Sequence, residues 1–106
     1  MGKKEHLVQD LEEFAHQISS EYPLKKMILF GSQATGKAHQ GSDIDLILVS
    51  KSFHKKRRLA RSPPLYLRWT LDYPVDFLCY TPEEFERKKK LIGIVKQAVK
   101  EGIEII

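Results

Sequence analysis

The chain has 106 residues, of which 42% are hydrophobic and 30% charged. That composition argues against a disordered chain and predicts one folded domain, residues 1–106, able to bury a core without metal or disulfide. The net charge of +4 favours an anionic ligand, such as a nucleotide or RNA, or an acidic partner surface.

The chain opens Met1-Gly2-Lys3-Lys4-Glu5-His6 with no apolar run behind it. No signal region is therefore expected, and position six lacks the Ser or Thr of a myristoylation site. No stretch nears the ~18 apolar residues of a membrane span. The expected location is the cytoplasm, with no membrane partner.

Leu7, Leu11, Phe14, Ala15 and Ile18 fall on one stripe and predict an amphipathic helix over 4–20, stopped at Tyr22-Pro23. Residues 25–30 read as a short buried strand. Gly31 to Gly41 is a loop rich in Gly, Ser, Thr and Gln with room for one helical turn. Residues 42–50, Ser-Asp-Ile-Asp-Leu-Ile-Leu-Val-Ser, are apolar on both faces at their centre and predict a central strand.

Residues 52–61 carry five cations and predict a short basic helix, broken by Pro63-Pro64. Residues 65–71 fit either helix or strand. Residues 74–80, Pro-Val-Asp-Phe-Leu-Cys-Tyr, predict a third strand. Its Cys79 is the single cysteine, best placed as a small buried hydrophobe. Thr81-Pro82-Glu83-Glu84 is a capping box with proline at the first helical position. The helix it opens carries Phe85, Ile92, Val95 and Val99 as one apolar stripe, with Gly102 to cap it. Ile103 to Ile106 add an edge strand. The order α-β-(α)-β-α-β-α predicts an α/β (α+β) domain: a small mixed sheet with helices packed on it.

The chemistry concentrates in Gly31-Ser32, ten residues, then Asp43-Ile44-Asp45. Strand alternation points Asp43 and Asp45 the same way, about 7 Å apart. Two like charges at a core edge repel, and Mg²⁺ binds such a sparse carboxylate site together with phosphate oxygens. Asp76 adds a third carboxylate if its strand lies beside the second. Asp72 is a rival that looks like a turn residue. Gly31 lets backbone N–H groups approach a phosphate, and Ser32 can donate a further hydrogen bond.

Plainer readings stand beside these. Asp43 and Asp45 could cap a turn, Asp76 could face water on an edge strand, and Ser32 could serve only the turn. Lys51, Lys55, Lys56, Arg57, Arg58 and Arg61 could form a solvated face, steer a triphosphate or dock a partner. Arg87 to Lys90 read as a solvated run. The four histidines lack metal-ligand spacing. Tyr66, Trp69 and Tyr73 read as packing residues rather than base-stacking ones.

Leu29-Phe30-Gly31-Ser32, Ser42-Asp43-Ile44-Asp45-Leu46, Val75-Asp76-Phe77 and Thr81-Pro82-Glu83-Glu84-Phe85 together resemble the minimal nucleotidyltransferases of the DNA-polymerase-β-like superfamily. The resemblance covers nearly the whole chain. The family loop often reads Gly-Ser-x-Ala-Arg-Gly. Here it reads Gly31-Ser32-Gln33-Ala34-Thr35-Gly36-Lys37, so Thr35 replaces the arginine and Lys37 would supply the charge.

The resemblance implies a polymerase-β-like palm fold and nucleoside monophosphate transfer from ATP. Asp43 and Asp45 would bridge two Mg²⁺ ions, with Asp76 on the ion nearest the acceptor. Gly31, Ser32 and Lys37 would hold the phosphates. Many members resemble antitoxins that adenylylate a tyrosine of a HEPN-domain ribonuclease toxin, which makes a HEPN protein the expected partner. Three alternatives differ in class. They are a silent module acting by occlusion, a small-molecule nucleotidyltransferase, and an RNA-binding protein using the basic patches alone.

Overall fold

The computed structural model describes residues 3–36 and 43–106. Four strands form one mixed sheet in the order β3-β2-β1-β4: β1 Lys26–Phe30, β2 Ile44–Val49, β3 Val75–Tyr80 and β4 Ile103–Glu104. β1 runs antiparallel to β2 and to β4, while β2 and β3 are parallel. The expected strands are all present, and the second is central.

Alternation divides the sheet into two apolar faces. Ile44, Leu46 and Leu48 of β2 join Met27, Leu29, Phe77 and Cys79 in one buried cluster. It is closed by Leu7, Leu11, Phe14, Ala15 and Ile18 of helix α1 (Lys3–Ile18), so the predicted stripe is the buried one. Ile47 and Val49 face the other way and pack with Ile28, Phe30 and Tyr80. Phe85 of α5 (Pro82–Lys88) and Val95 and Ala98 of α6 (Ile94–Glu101) cover that face. The sheet is thus the middle of three layers.

α1 stops at Ile18, before the predicted end. Ser19 turns back onto the last turn, its hydroxyl donating to the His16 carbonyl at 2.7 Å and competing with the helical pattern. The loop after β1 holds the one helical turn, α2 (Ser32–Thr35), closed by Gly36 at φ 79°.

The basic segment is not one helix. A 3₁₀ turn (Lys51–Lys55) is capped by Ser50, whose side chain accepts from the Ser52 N–H. A short α3 (Arg58–Arg61) follows. α3 ends before the two prolines, as expected, and these then open a separate helical turn, α4 (Pro63–Tyr66), where a missing N–H costs nothing. Residues 65–71 are therefore the end of α4 and a turn, not a strand.

Arg61 leaves the solvated run altogether. It is buried, donating to Glu84 Oε1 at 2.6 Å and to the Cys79 carbonyl at 3.1 Å. Glu84 also accepts from the Thr81 N–H at 2.8 Å, completing the predicted capping box. Burial pushes the Glu84 carboxyl up, but the Arg61 and Thr81 hydrogen bonds and the Arg61 charge outweigh it and hold it at about 2.

β3 is an edge strand, and two of its outward backbone groups are taken from within the chain. The Arg61 guanidinium takes the Cys79 carbonyl, and the Tyr66 hydroxyl accepts from the Phe77 N–H at 3.4 Å.

The single last helix expected from the capping box is two. α5 ends at Lys88 and α6 starts at Ile94, with Gly93 at φ 157° between them. The predicted stripe breaks accordingly: Phe85 and Val95 are buried, Ile92 and Val99 are exposed. Gly102 ends α6 in an extended conformation rather than a left-handed cap. Glycine is needed there for a close approach, since a Cβ would lie 2.4 Å from the Ala98 oxygen and 2.8 Å from the Leu29 oxygen.

Candidate active site

Asp45 stands opposite Phe30 on β1 and in register with Asp76 on β3. Registered residues of parallel neighbours point to the same face, so the two carboxylates are side by side. By alternation that face is the one carrying Ile47 and covered by α5 and α6. Asp43 precedes β2 by one residue and shares the parity of Asp45.

Gly31 follows β1 with φ 78° and ψ −157°, a backbone shape that side chains rarely tolerate. A Cβ there would lie 2.4 Å from Asp45 Oδ2. Glycine thus serves two ends at once: it permits the turn and leaves room for the carboxylate. The second end was not foreseeable from the motif, because it depends on the β1–β2 register. The turn is tied down by Ala34 and Thr35, whose N–H groups donate to the Gly31 carbonyl at 3.1 and 3.2 Å. Ser32 opens α2, half-buried beside this turn. Lys37 lies outside the described residues.

The electrostatics agree with the geometry. Asp45 is half-buried, and its pKa is raised first by burial, then by the charges of Asp76 and Asp43. Asp45 therefore feels both of the other carboxylates. Asp43 and Asp76 are exposed. Among the described residues no three carboxylate, histidine or cysteine groups already stand close enough to hold an ion. The oxygen donors and their mutual repulsion suit a hard divalent cation that would draw them together. Asp72 lies in the bend before β3, three residues ahead of the first β3 residue and outside the Asp45–Asp76 register.

The basic segment leaves β2 at Val49, the end opposite Asp45. It docks at the Tyr80 end of β3, where Arg58 lies 5.8 Å from the Tyr80 ring centroid. Lys56 donates to the Tyr22 hydroxyl at 3.3 Å, and His54 meets Glu83 at 2.8 Å. Phe77 packs with Phe14, Tyr66 and Trp69, which confirms Tyr66 and Trp69 as packing aromatics.

A small mixed sheet with helices on both faces, a Gly-Ser turn after its first strand and carboxylates paired across the next two is the nucleotidyltransferase fold. The sequence model described as "Nucleotidyltransferase domain" matches residues 11–105, and the chain belongs to that family. It is therefore a transferase of nucleotidyl groups. A crystal structure of a candidate nucleotidyltransferase from Sulfolobus solfataricus is similar in fold. Its TM-score is 0.66 at 22% identity, over 98% of this chain and 87% of that one. Another candidate nucleotidyltransferase structure matches at TM-score 0.49 and 25% identity, over 77% of this chain and 86% of that one. A search of curated proteins finds no match. Among the described residues no helix is long and apolar enough to cross a membrane.

Proposed function

We propose that the chain is a minimal nucleotidyltransferase of the antitoxin type, moving AMP from ATP to a hydroxyl of a HEPN-domain toxin in the presence of Mg²⁺. The observation that carries the nucleotidyl-transfer reading is the Asp45–Asp76 pair, held in register across β2 and β3 with Gly31 leaving room for Asp45; the antitoxin role and the HEPN-domain acceptor rest on the family resemblance.

Asp43, Asp45 and Asp76 would hold the metal, which when bound supplies charge neutralisation at the phosphates and a more acidic acceptor hydroxyl. Backbone N–H groups at Gly31 and Ser32, the Ser32 hydroxyl and Lys37 would seat the phosphates. Asp76, exposed like Asp43, would receive the proton from the acceptor hydroxyl. The hydroxyl oxygen bonds to the α-phosphorus, the bond to the bridging oxygen breaks, and pyrophosphate leaves. The chain's contribution is positioning and electrostatic stabilisation.

The family resemblance favours a protein acceptor over a small molecule. The larger cavity, about 430 Å³, runs along the outer rim of β3 beside Arg58 and Tyr80, and a smaller one lies near Lys26 and Phe85. Neither of these two is lined by Asp43, Asp45 or Asp76.

Incubation with the HEPN-domain partner, ATP and Mg²⁺ should add about 329 Da per transferred AMP to that partner. Asp76→Ala should remove the added mass and leave the complex intact. A partner that is silenced by binding while its mass never changes would sink the transfer reading in favour of occlusion.

A further inference from the structure

The backbone of β3 presents an open hydrogen-bonding pair on its outer edge. Even residues of this stretch turn towards β2: the Pro74 and Tyr80 carbonyls accept from the Ile44 and Ser50 N–H groups at 2.8 and 3.1 Å. Odd residues therefore turn outward. The Phe77 N–H, which donates to the Tyr66 hydroxyl, and the Cys79 carbonyl, which accepts from Arg61, follow that rule. The Phe77 carbonyl and the Cys79 N–H share the direction, and neither has a hydrogen-bond partner among the described residues.

The result is a window one acceptor and one donor wide, bounded by Tyr66 at one end and Arg61 at the other. It opens on the cavity of about 430 Å³, a volume that suits a small ligand. Arg58, Leu59 and Ser62 form the other wall. The Ser62 side chain is half-buried and makes no capping hydrogen bond. Leu59 is 92% exposed, so a ligand in the cavity would give it the apolar contact it lacks.

The window selects its occupant. A peptide strand added to β3 would need, at its neighbouring residues, the Phe77 N–H and the Cys79 carbonyl that Tyr66 and Arg61 hold. A nucleobase needs only the open pair, because its edge sets a donor beside an acceptor. Position supplies the link to the carboxylates. Leu78 lines the cavity and shares the parity of Asp76, so the cavity reaches the face on which Asp45 and Asp76 stand. Gly31, Asp45, Asp76 and this edge follow one another across β1, β2 and β3, about 10 Å over two strand spacings. A nucleoside triphosphate covers that span.

We propose that the outer edge of β3 is the base subsite of the transferred nucleotide, with the adenine 6-amino group donating to the Phe77 carbonyl and N1 accepting from the Cys79 N–H. This rests on the nucleotidyl-transfer reading for the identity of the ligand, not for the open backbone pair. Leu59 and the Arg58 guanidinium cover the base, and the ribose crosses Leu78 towards Asp76.

The test is calorimetry in Mg²⁺ with ATP, two base analogues and inorganic tripolyphosphate. Purine riboside triphosphate, which lacks the 6-amino group, should bind about fivefold to tenfold more weakly than ATP. N6,N6-dimethyl-ATP, which has no amino hydrogen to donate, should lose as much. Tripolyphosphate reads the metal and phosphate seat alone. Ser62→Phe, which fills the cavity, should weaken ATP by at least about tenfold, while tripolyphosphate keeps its Kd within about twofold. ATP should slow amide hydrogen exchange at the Cys79 N–H, and tripolyphosphate should not.

Equal Kd for ATP and both analogues, with Cys79 exchange unmoved, overturns the base subsite. Tripolyphosphate binding that Asp45→Asn abolishes would then leave the transferase reading standing. ATP that protects Cys79 but binds Asp45→Asn as tightly as wild type, in EDTA as in Mg²⁺, marks a separate nucleotide site and overturns the proposal too. Failure of both ATP and tripolyphosphate to bind the wild type defeats the two readings together.

Discussion

Replacing Gly31 by alanine isolates the contact on which the site depends. The added Cβ would sit 2.4 Å from Asp45 Oδ2, whereas an ordinary contact is about 3.5 Å. The carboxylate must retreat by about 1 Å, or the turn must open by as much. Alanine at φ 78° and ψ −157°, a region essentially confined to glycine, also costs roughly 1–3 kcal/mol of backbone strain.

The stability loss should therefore be about 1–3 kcal/mol, modest enough to leave a folded protein at 20 °C. The functional loss should be larger, because a misplacement of about 1 Å at a reacting centre costs on the order of 10²-fold. Two measurements separate these. Urea unfolding gives the first figure. The rate of AMP transfer at saturating ATP and Mg²⁺, with the Mg²⁺-dependent ATP shift in melting temperature as a partner-free readout, gives the second. A folded Gly31→Ala protein that keeps its rate within about threefold and its full ATP shift would refute the claim that this contact places Asp45.

Asp45→Asn should raise the melting temperature in EDTA by roughly 2–4 °C while abolishing the Mg²⁺-dependent ATP shift. The carboxylate it removes is half-buried against two like charges, so a lower melting temperature in EDTA would count against that crowding. Glu84→Gln tests the buried pair with Arg61. The Glu84 carboxyl falls from its ordinary 4.5 to about 2, and at about 1.4 kcal/mol per pH unit that sets a ceiling near 3 kcal/mol. Solvent reaching about a fifth of the Glu84 side chain reduces it to roughly 1–2 kcal/mol. A depressed carboxyl stabilises above its unfolded value and loses that contribution as pH falls from about 4.5 towards 2. Wild-type stability, followed by urea unfolding, should decline more steeply than that of Glu84→Gln in this window, and parallel curves would contradict it. Gly102→Ala should destabilise by about 1–3 kcal/mol in urea unfolding, since its Cβ meets two backbone oxygens and Ile28. A neutral result would restore the simple capping role.

The strands and the aspartate face were legible because they depend on local alternation. Asp43 and Asp45 alternate with Ile44 and Leu46, and one buried face fixes the parity of the other. Asp76 was legible only as a conditional, since its value rested on whether β3 would lie beside β2. The misreadings share a different cause. Arg61 belonged by sequence to a cationic run, and only the distant Glu84 and Cys79 make it a core residue. Phe85, Ile92, Val95 and Val99 fit a helical period, but one glycine divides them, and periodicity does not register a break that preserves spacing. Gly102 was read by its position after a helix, while its reason lies in the Ala98, Leu29 and Ile28 atoms pressing on it.

The two satisfied backbone groups on the outer edge of β3 bear on how this protein behaves in concentrated solution. A bare edge strand is a template on which a second chain can pair and begin an aggregate. Here the Arg61 guanidinium and the Tyr66 hydroxyl hold two of the backbone groups that such pairing would use. Arg61 is fixed in turn by Glu84, the residue that caps α5. Substitutions at Arg61 or Glu84 should thus be seen first as turbidity on storage or poor yield on expression, ahead of any loss in catalytic rate. A screen that scores only the activity of the soluble fraction would pass over them.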